Sequence, residues 1–406
     1  MPHYPYLIIG GGMTAAAAAQ GIREADPAAV IGLIGAEPDP PYDRPPLTKG
    51  LWKGEPLDGI WRHPERQGVT AHLGREAREL DPARRRVVDD QGTEYTYGAL
   101  LLATGGTPRR LPFGGDGVLY YRTVADYRRL RALTERGRQR FVVVGGGFIG
   151  TEIAAALAMN GQQVALVFPA PALGARVYPE DLGAFLTGYY REKGVEVVAQ
   201  STVTGLQPRG DRWAVTVRPA DESGSPAAGP ERVFEADGVV AGLGIQPNVA
   251  LAEQAGLAVE DGILVDEHLR TSQEAIYAAG DVARFPNPAL GRRVRVEHED
   301  NANTMGAAAG RNMAGAARPY THLPFFYSDL FDLGYEAVGD LDAGLETVAD
   351  WKEPHREGVV YYLGDGRVRG VLLWNVWEQV DAARRLIAEP GPFRAQDLPG
   401  RLPAAP

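Results

Sequence analysis

Tyr6-Leu7-Ile8-Ile9-Gly10-Gly11-Gly12-Met13-Thr14-Ala15 is the stretch on which the fold turns. Its first four residues form a short apolar run of the kind a buried strand shows, and residues 13–24 beyond it are alanine-rich and helical. The break between them is a G-x-G-x-x-A. Gly10 permits the tight turn, Gly12 has no side chain to block a pyrophosphate, and Ala15 lets the helix sit close to the strand. The helix N-terminus then offers N–H groups and about half a positive charge to phosphates. Residues 30–34 read as a second strand, and Glu37 lies near its end, where a carboxylate holds a ribose diol. Strand, glycine turn, helix, strand and acid in that order make a dinucleotide-binding βαβ unit.

The order returns near the middle of the chain. Residues 141–144 are a strand, Gly145-Gly146-Gly147-Phe148-Ile149-Gly150 is a second fingerprint, and a helix (148–160) and strand (163–167) follow. The fold class is therefore α/β, with two Rossmann-like dinucleotide-binding domains. The second unit lacks the acid: its last strand ends in Phe168-Pro169, the next carboxylate is Glu180, and Arg176 is the nearest charged group. NADH and NADPH both stay open on this reading.

Between the two units, residues 87–102 alternate as antiparallel strands turning at 89–92. The segment 219–230, rich in Pro, Gly and Ser, reads as a hairpin tip between strands at 213–217 and 232–234. Leu101-Leu102-Ala103-Thr104-Gly105-Gly106 is a strand running into a glycine turn. Residues 271–281 end a strand in Gly280-Asp281, where a carboxylate can accept from a ribitol hydroxyl. After about residue 322 the pattern changes. Residues 358–363 and 368–373 make a hairpin about Gly364-Asp365-Gly366, a helix covers 376–388, and the last dozen residues, rich in proline, are expected to be a loose tail.

The chain has 406 residues, room for two to three domains, and no cysteine. The missing thiol excludes a redox-active disulfide, a thiolate nucleophile and thiolate-ligated iron–sulfur clusters, so redox chemistry must come from a bound cofactor. A net charge of −10 disfavours nucleic acid. Local arginine clusters at 84–86, 128–131 and 136–140 are expected to be solvated faces, with a docking patch for an acidic protein as the lesser reading. No run approaches the roughly 20 apolar residues of a membrane span, and the early apolar stretch has no basic leader, so the cytoplasm is the default. Two fingerprints imply two dinucleotides. A flavoprotein reductase needs two, because FAD stays bound while NAD(P)H comes and goes.

Pro41-Tyr42-Asp43-Arg44-Pro45-Pro46-Leu47-Thr48-Lys49 is the most individual stretch; its prolines stiffen a loop and fix Arg44 and Lys49. Together with both fingerprints, residues 101–109 (LLATGGTPR), 277–281 (YAAGD), Glu297-His298, residues 325–330 (FFYSDL), Gly334-Tyr335-Glu336 and Leu373-Trp374-Asn375, it resembles the apoptosis-inducing-factor-like branch of the FAD-dependent NAD(P)H:ferredoxin reductases. The resemblance covers nearly the whole chain. It implies an FAD domain in two parts (1–115 and 243–321), a NAD(P) domain (116–242) inserted within it, and a C-terminal α+β domain (322–406). FAD would contact Gly12, Glu37, Arg44, Lys49, Ala77, Arg122, Asp281, Glu297, His298 and Glu299; Gly10, Ala15, Thr104 and Gly105 are further cofactor-binding candidates. NAD(P)H would contact Gly147, Phe148, Ile149, Gly150, Arg176, Gly244, Glu297, His298, Glu336 and Asn375.

The resemblance also implies a lysine beside flavin N5 paired with a glutamate, here Lys49 and Glu152. A cation there favours acceptance of a hydride. Ala36 stands where many such proteins carry an acid, and Tyr327 where the family has a tryptophan facing the nicotinamide side of the flavin. His298 is assigned to flavin binding and not to acid–base catalysis. The implied activity is hydride transfer from NAD(P)H to flavin N5, with electrons passed on to a [2Fe–2S] ferredoxin. A quinone or other small acceptor, and a redox-responsive interaction protein that changes dimerisation, are the alternatives. A homodimer is compatible with either. A disulfide reductase is excluded by the cysteine count, and a flavin monooxygenase is disfavoured by the whole second nucleotide unit and third domain.

Overall fold

Apolar runs long enough to be buried on both faces become the central strands, and glycines mark where the backbone must come close. In the computed structural model, which describes residues 1–221 and 223–402, the chain divides into two compact units. The first comprises Met1–Arg44, Leu57–Thr107 and Gln246–Phe326. At its centre the strand His3–Ile9 pairs in parallel with Ile31–Gly35 on one side and Glu94–Leu102 on the other. Val69–Leu73 extends the sheet beyond Ile31–Gly35, and Ile276–Ala278 pairs in parallel with the end of Glu94–Leu102. Residues 87–102 do turn back as expected: Arg86–Asp89 pairs antiparallel with the start of Glu94–Leu102. Leu100, Leu101 and Leu102 then run through the interior with no exposed surface.

The first fingerprint helix, Met13–Ala25, lies against the Glu299–Met313 helix at backbone contact. A Cβ at Gly306 would stand 2.4 Å from the Thr14 carbonyl oxygen, and one at Gly310 would stand 2.1 Å from that of Ala18. From the other side, a Cβ at Gly21 would stand 2.1 Å from the Ala307 carbonyl oxygen. The alanine run from Ala15 to Ala19 is thus short-chained for a packing reason as well as a helical one.

The second unit comprises Pro45–Pro56, Pro108–Ile245 and the described residues from Tyr327 on. Its parallel sheet runs in the order Glu196–Val198, Gln163–Val167, Arg140–Val144, Gly238–Ala241, Val118–Tyr120. A three-stranded antiparallel sheet (Ser201–Arg209, Arg212–Pro219, Arg232–Ala236) packs on it, Val215, Val217 and Phe234 meeting Val142, Val144 and Val167. The expected hairpin tip lies between the last two of these strands; Glu222 within it falls outside the described residues. The C-terminal sheet is antiparallel, and its Glu357–Gly364 and Arg367–Trp374 strands form the expected hairpin.

Two expectations need correction here. The last helix begins at Val380, four residues later than the pattern suggested, because Asn375 (φ 51°) and Glu378 (φ 62°) take left-handed backbone that a helix start cannot contain. The tail is not loose as far as it is described. Leu398 and Leu402 are buried, the Leu402 N–H donates to the Tyr361 hydroxyl at 2.9 Å, and the Gly400 N–H donates to Asp350 at 2.6 Å. A short 3-10 helix, Ala395–Asp397, opens the segment, and its prolines do not prevent leucine burial.

Candidate active site

Both fingerprints are built by steric necessity. Gly10 has φ 129°, and a Cβ on it would lie 2.1 Å from the Ala103 carbonyl oxygen; Gly145 has φ 114°, with the Gly242 carbonyl oxygen 2.3 Å from any Cβ. A Cβ on Gly150 would be driven to 1.9 Å from the Gly145 oxygen, and Ala15 is fully buried. Gly12 and Gly147 differ from these. They are the N-caps of their helices, in ordinary extended backbone, and a Cβ on either would meet nothing within 4 Å. No side chain caps either helix and neither has an acid in its first turn. The helix Val124–Thr134, by contrast, carries a full capping box between Thr123 and Asp126. Two helix N-termini kept bare of caps and acids, with open space at the capping glycine, fit two pyrophosphates. Phe148 and Ile149 are each more than a third exposed at the mouth of the second.

Within the first unit a polar cluster forms beside the fingerprint. Glu37 accepts from the Arg44 guanidinium at 2.7 Å with one oxygen and from the Tyr42 hydroxyl at 2.5 Å with the other. Arg44 also lies over the Tyr42 ring, 5.1 Å from its centre. Burial opposes the Arg44 charge, but Tyr42, Glu37 and Asp281 outweigh it and hold its pKa above the ordinary value. His298 stacks on Phe326 with 4.2 Å between ring centres. Burial lowers its pKa to about 4, against the opposing pull of Asp281 and Asp300. Glu37, Arg44, Asp281 and His298 are therefore neighbours although the sequence spreads them over 37–298. Thr104 and Gly105 are latched to Asn248: the Thr104 hydroxyl donates to the Asn248 carbonyl at 2.8 Å, and the Asn248 N–H donates to Gly105 at 2.9 Å. Ala77 opens the strand opposite Asp89, Glu297 pairs with Arg295 at 2.7 Å, and Glu299 is the first residue of its helix.

The second unit holds the ion pair. Lys49 donates to Glu152 at 2.7 Å, and the two side chains are 12% and 4% exposed, so this pair is shielded from solvent screening. The Lys49 ammonium also lies 5.1 Å from the centre of the Tyr327 ring. Two further donors reach the same carboxylate, the Thr48 hydroxyl at 2.5 Å and the Ser328 hydroxyl at 2.6 Å. The Arg122 N–H donates to Asp126, the Arg176 carbonyl accepts from the Ala343 N–H, and the Gly244 carbonyl accepts from the Arg109 N–H. Burial raises the Glu336 pKa, and the carboxylate includes a buried oxygen with no partner among the described residues. Asn375 spends its amide on the sheet: Oδ1 accepts from the Gly334 N–H and Nδ2 donates to the Arg356 carbonyl, both at 2.8 Å. Thr48, Ser328 and Tyr42 are the residues that motif reading passed over, although each sits inside a stretch it quoted.

Two bare glycine-capped helices and a buried lysine–glutamate pair in a chain without cysteine suit an oxidoreductase that works through bound dinucleotides. Residues 4–306 match the model of the pyridine nucleotide-disulphide oxidoreductases, and the chain belongs to that family. Residues 309–357 and 349–389 match the C-terminal domain of mitochondrion-associated apoptosis-inducing factor. The chain is 38% identical, over 95% of its length and 94% of the relative's, to the ferredoxin–NAD(+) reductase component of the anthranilate 1,2-dioxygenase system of Burkholderia cepacia. It is 32% identical to the mitochondrial apoptosis-inducing factor 1 of Dictyostelium discoideum, over 95% of its own length and 78% of that protein's. Among solved structures, it superposes on the reductase–putidaredoxin covalent complex with a TM-score of 0.85 at 30% identity, covering 96% of this chain and 94% of that one. The chain is accordingly an FAD-dependent NAD(P)H oxidoreductase.

Proposed function

We propose that this enzyme passes electrons from NAD(P)H to a [2Fe–2S] ferredoxin and works in the cytoplasm. The observation that carries the reading is the pair of bare, glycine-capped helix N-termini, one in each unit. The acceptor rests on the likeness to ferredoxin reductases along almost the whole chain. Residues 1–115 and 243–321 would serve FAD, 116–242 NAD(P)H, and 322–406 the third domain. FAD supplies the conversion of a two-electron donor into single-electron steps.

This chain's own residues bind and bias. Gly10, Gly12 and the first helix take one pyrophosphate; Gly147 and Gly150 take the other. Glu37, already oriented by Arg44 and Tyr42, offers its remaining lone pairs to a ribose diol. Lys49, oriented by Glu152, supplies a shielded positive charge where negative charge develops on accepting a hydride.

Lys49→Ala is expected to retain FAD while slowing its anaerobic bleaching by NADH by about tenfold or more. Unchanged bleaching kinetics would remove Lys49 from the mechanism. For the acceptor, the reduced enzyme should reduce a [2Fe–2S] ferredoxin, and more slowly at about 0.5 M salt, where charge steering is screened. Quinone reduction with no ferredoxin reduction at any salt concentration would overturn that assignment.

A further inference from the structure

Glu152 is a buried carboxylate held by side chains from two separate stretches of the chain. It lies on the Phe148–Met159 helix; Thr48 and Lys49 precede the short Gly50–Lys53 helix; Ser328 belongs to the Phe325–Leu330 strand. Oε1 is shared by Lys49 Nζ at 2.7 Å and Ser328 Oγ at 2.6 Å, and Oε2 takes Thr48 Oγ1 at 2.5 Å. Thr48, Glu152 and Ser328 are all buried. We propose that Ser328 and Thr48 are positioning residues for the reductive reaction: their hydroxyls fix the Glu152 carboxylate, which in turn keeps the Lys49 ammonium in one place. The proposal rests on the role given to Lys49 and goes beyond it by naming what holds the pair.

The physical case is one of direction. A lysine is a point charge on a flexible four-carbon stem, so an ion pair with Glu152 alone would leave both groups several arrangements. A buried ion pair is tolerable only when further hydrogen bonds satisfy the carboxylate's remaining lone pairs. Hydroxyls supply those bonds and are directional. Thr48 Oγ1 has a competing acceptor, the Pro45 carbonyl at 3.2 Å, but its single proton serves the closer carboxylate. The loop beneath is pinned as well. The Leu47 carbonyl accepts from Trp52 Nε1 at 2.8 Å and from the Tyr121 hydroxyl at 2.5 Å, so consecutive residues Thr48 and Lys49 present their side chains to the two oxygens of one carboxylate.

The test is stopped-flow bleaching of the FAD-loaded holoenzyme by NADH, with Ser328→Ala, Thr48→Val and Thr48→Ser alone and the first two combined with Glu152→Gln. Ser328→Ala and Thr48→Val are expected to slow bleaching at saturating NADH by about threefold to tenfold, with the half-saturating NADH concentration moving less than about twofold. Thr48→Ser, which keeps the hydroxyl, should retain the rate. In the Glu152→Gln background the Ser328 and Thr48 changes should add less than about twofold. A purely structural role would cost the same in both backgrounds and would be shared by Thr48→Ser. Slow Lys49→Ala and Glu152→Gln enzymes beside normal Ser328→Ala and Thr48→Val enzymes would overturn this inference alone. A normal Lys49→Ala enzyme would overturn both.

Discussion

His298 packs face to face on Phe326, its ring plane 13° from the phenyl's, and its pKa of about 4 leaves the imidazole neutral across physiological pH. It has no proton to give there, and bleaching of the flavin by NADH should show no inflection from it between about pH 6 and 8. The same shift has a sign for stability. The folded-state value lies below the ordinary 6.5, so as pH falls from about 6.5 to about 4 the unfolded chain takes up the proton first and the fold loses stability. His298→Asn should therefore lose less melting temperature over that window than the parent enzyme; an identical acid-side decline would contradict the assignment. The glycines and Glu37 could be singled out from sequence because their spacing within one βαβ unit reflects a local chemical need, whereas the roles expected of Arg44 and Lys49 came from the family resemblance. Thr48 and Ser328 were not legible as a pair with Glu152. Their partner lies 104 and 176 residues away, and a hydroxyl carries no sign of which distant acceptor it will meet.

At the scale of elements, the close fit between the helices Met13–Ala25 and Glu299–Met313 holds the helix that carries the first fingerprint. Gly310→Ala puts a Cβ 2.1 Å from the Ala18 carbonyl oxygen, a backbone atom that cannot step aside alone. Overpacking of this kind costs about 1–3 kcal/mol. The melting temperature should fall by several degrees and the FAD content of the purified protein with it; a protein as stable and as yellow as the parent would show that the close approach is dispensable. The βαβ units were readable to within three residues, because buried parallel strands are continuous apolar runs. The start of the last helix was not, because Asn375 and Glu378 adopt left-handed backbone that the apolar pattern does not signal. The tail was misjudged for the opposite reason: composition spoke of proline, whereas burial depended on two leucines, Leu398 and Leu402.

Across the whole molecule, the candidate site residues are divided between two compact units. One collects Gly12, Glu37, Arg44, Asp281 and His298; the other contains the second fingerprint, Lys49 and Glu152. The absence of cysteine means that neither can pass electrons through a thiol, so redox chemistry falls to bound cofactors. Among the described residues, no helix is long and apolar enough to cross a membrane. If each fingerprint holds its own dinucleotide, lesions at the two capping glycines must separate cleanly. Both positions have room for a methyl group and ordinary backbone angles, so alanine there disturbs the ligand and not the fold. The decisive measurement is the flavin content and NADH titration of Gly12→Ala and Gly147→Ala, each with the melting temperature of its flavin-stripped form. Gly12→Ala should purify nearly colourless and Gly147→Ala fully yellow but requiring roughly tenfold more NADH for half-reduction. Both stripped forms should melt with the stripped parent. Equal loss of flavin from the two variants, or full flavin with parental NADH affinity in both, would contradict the claim that each helix serves a separate pyrophosphate.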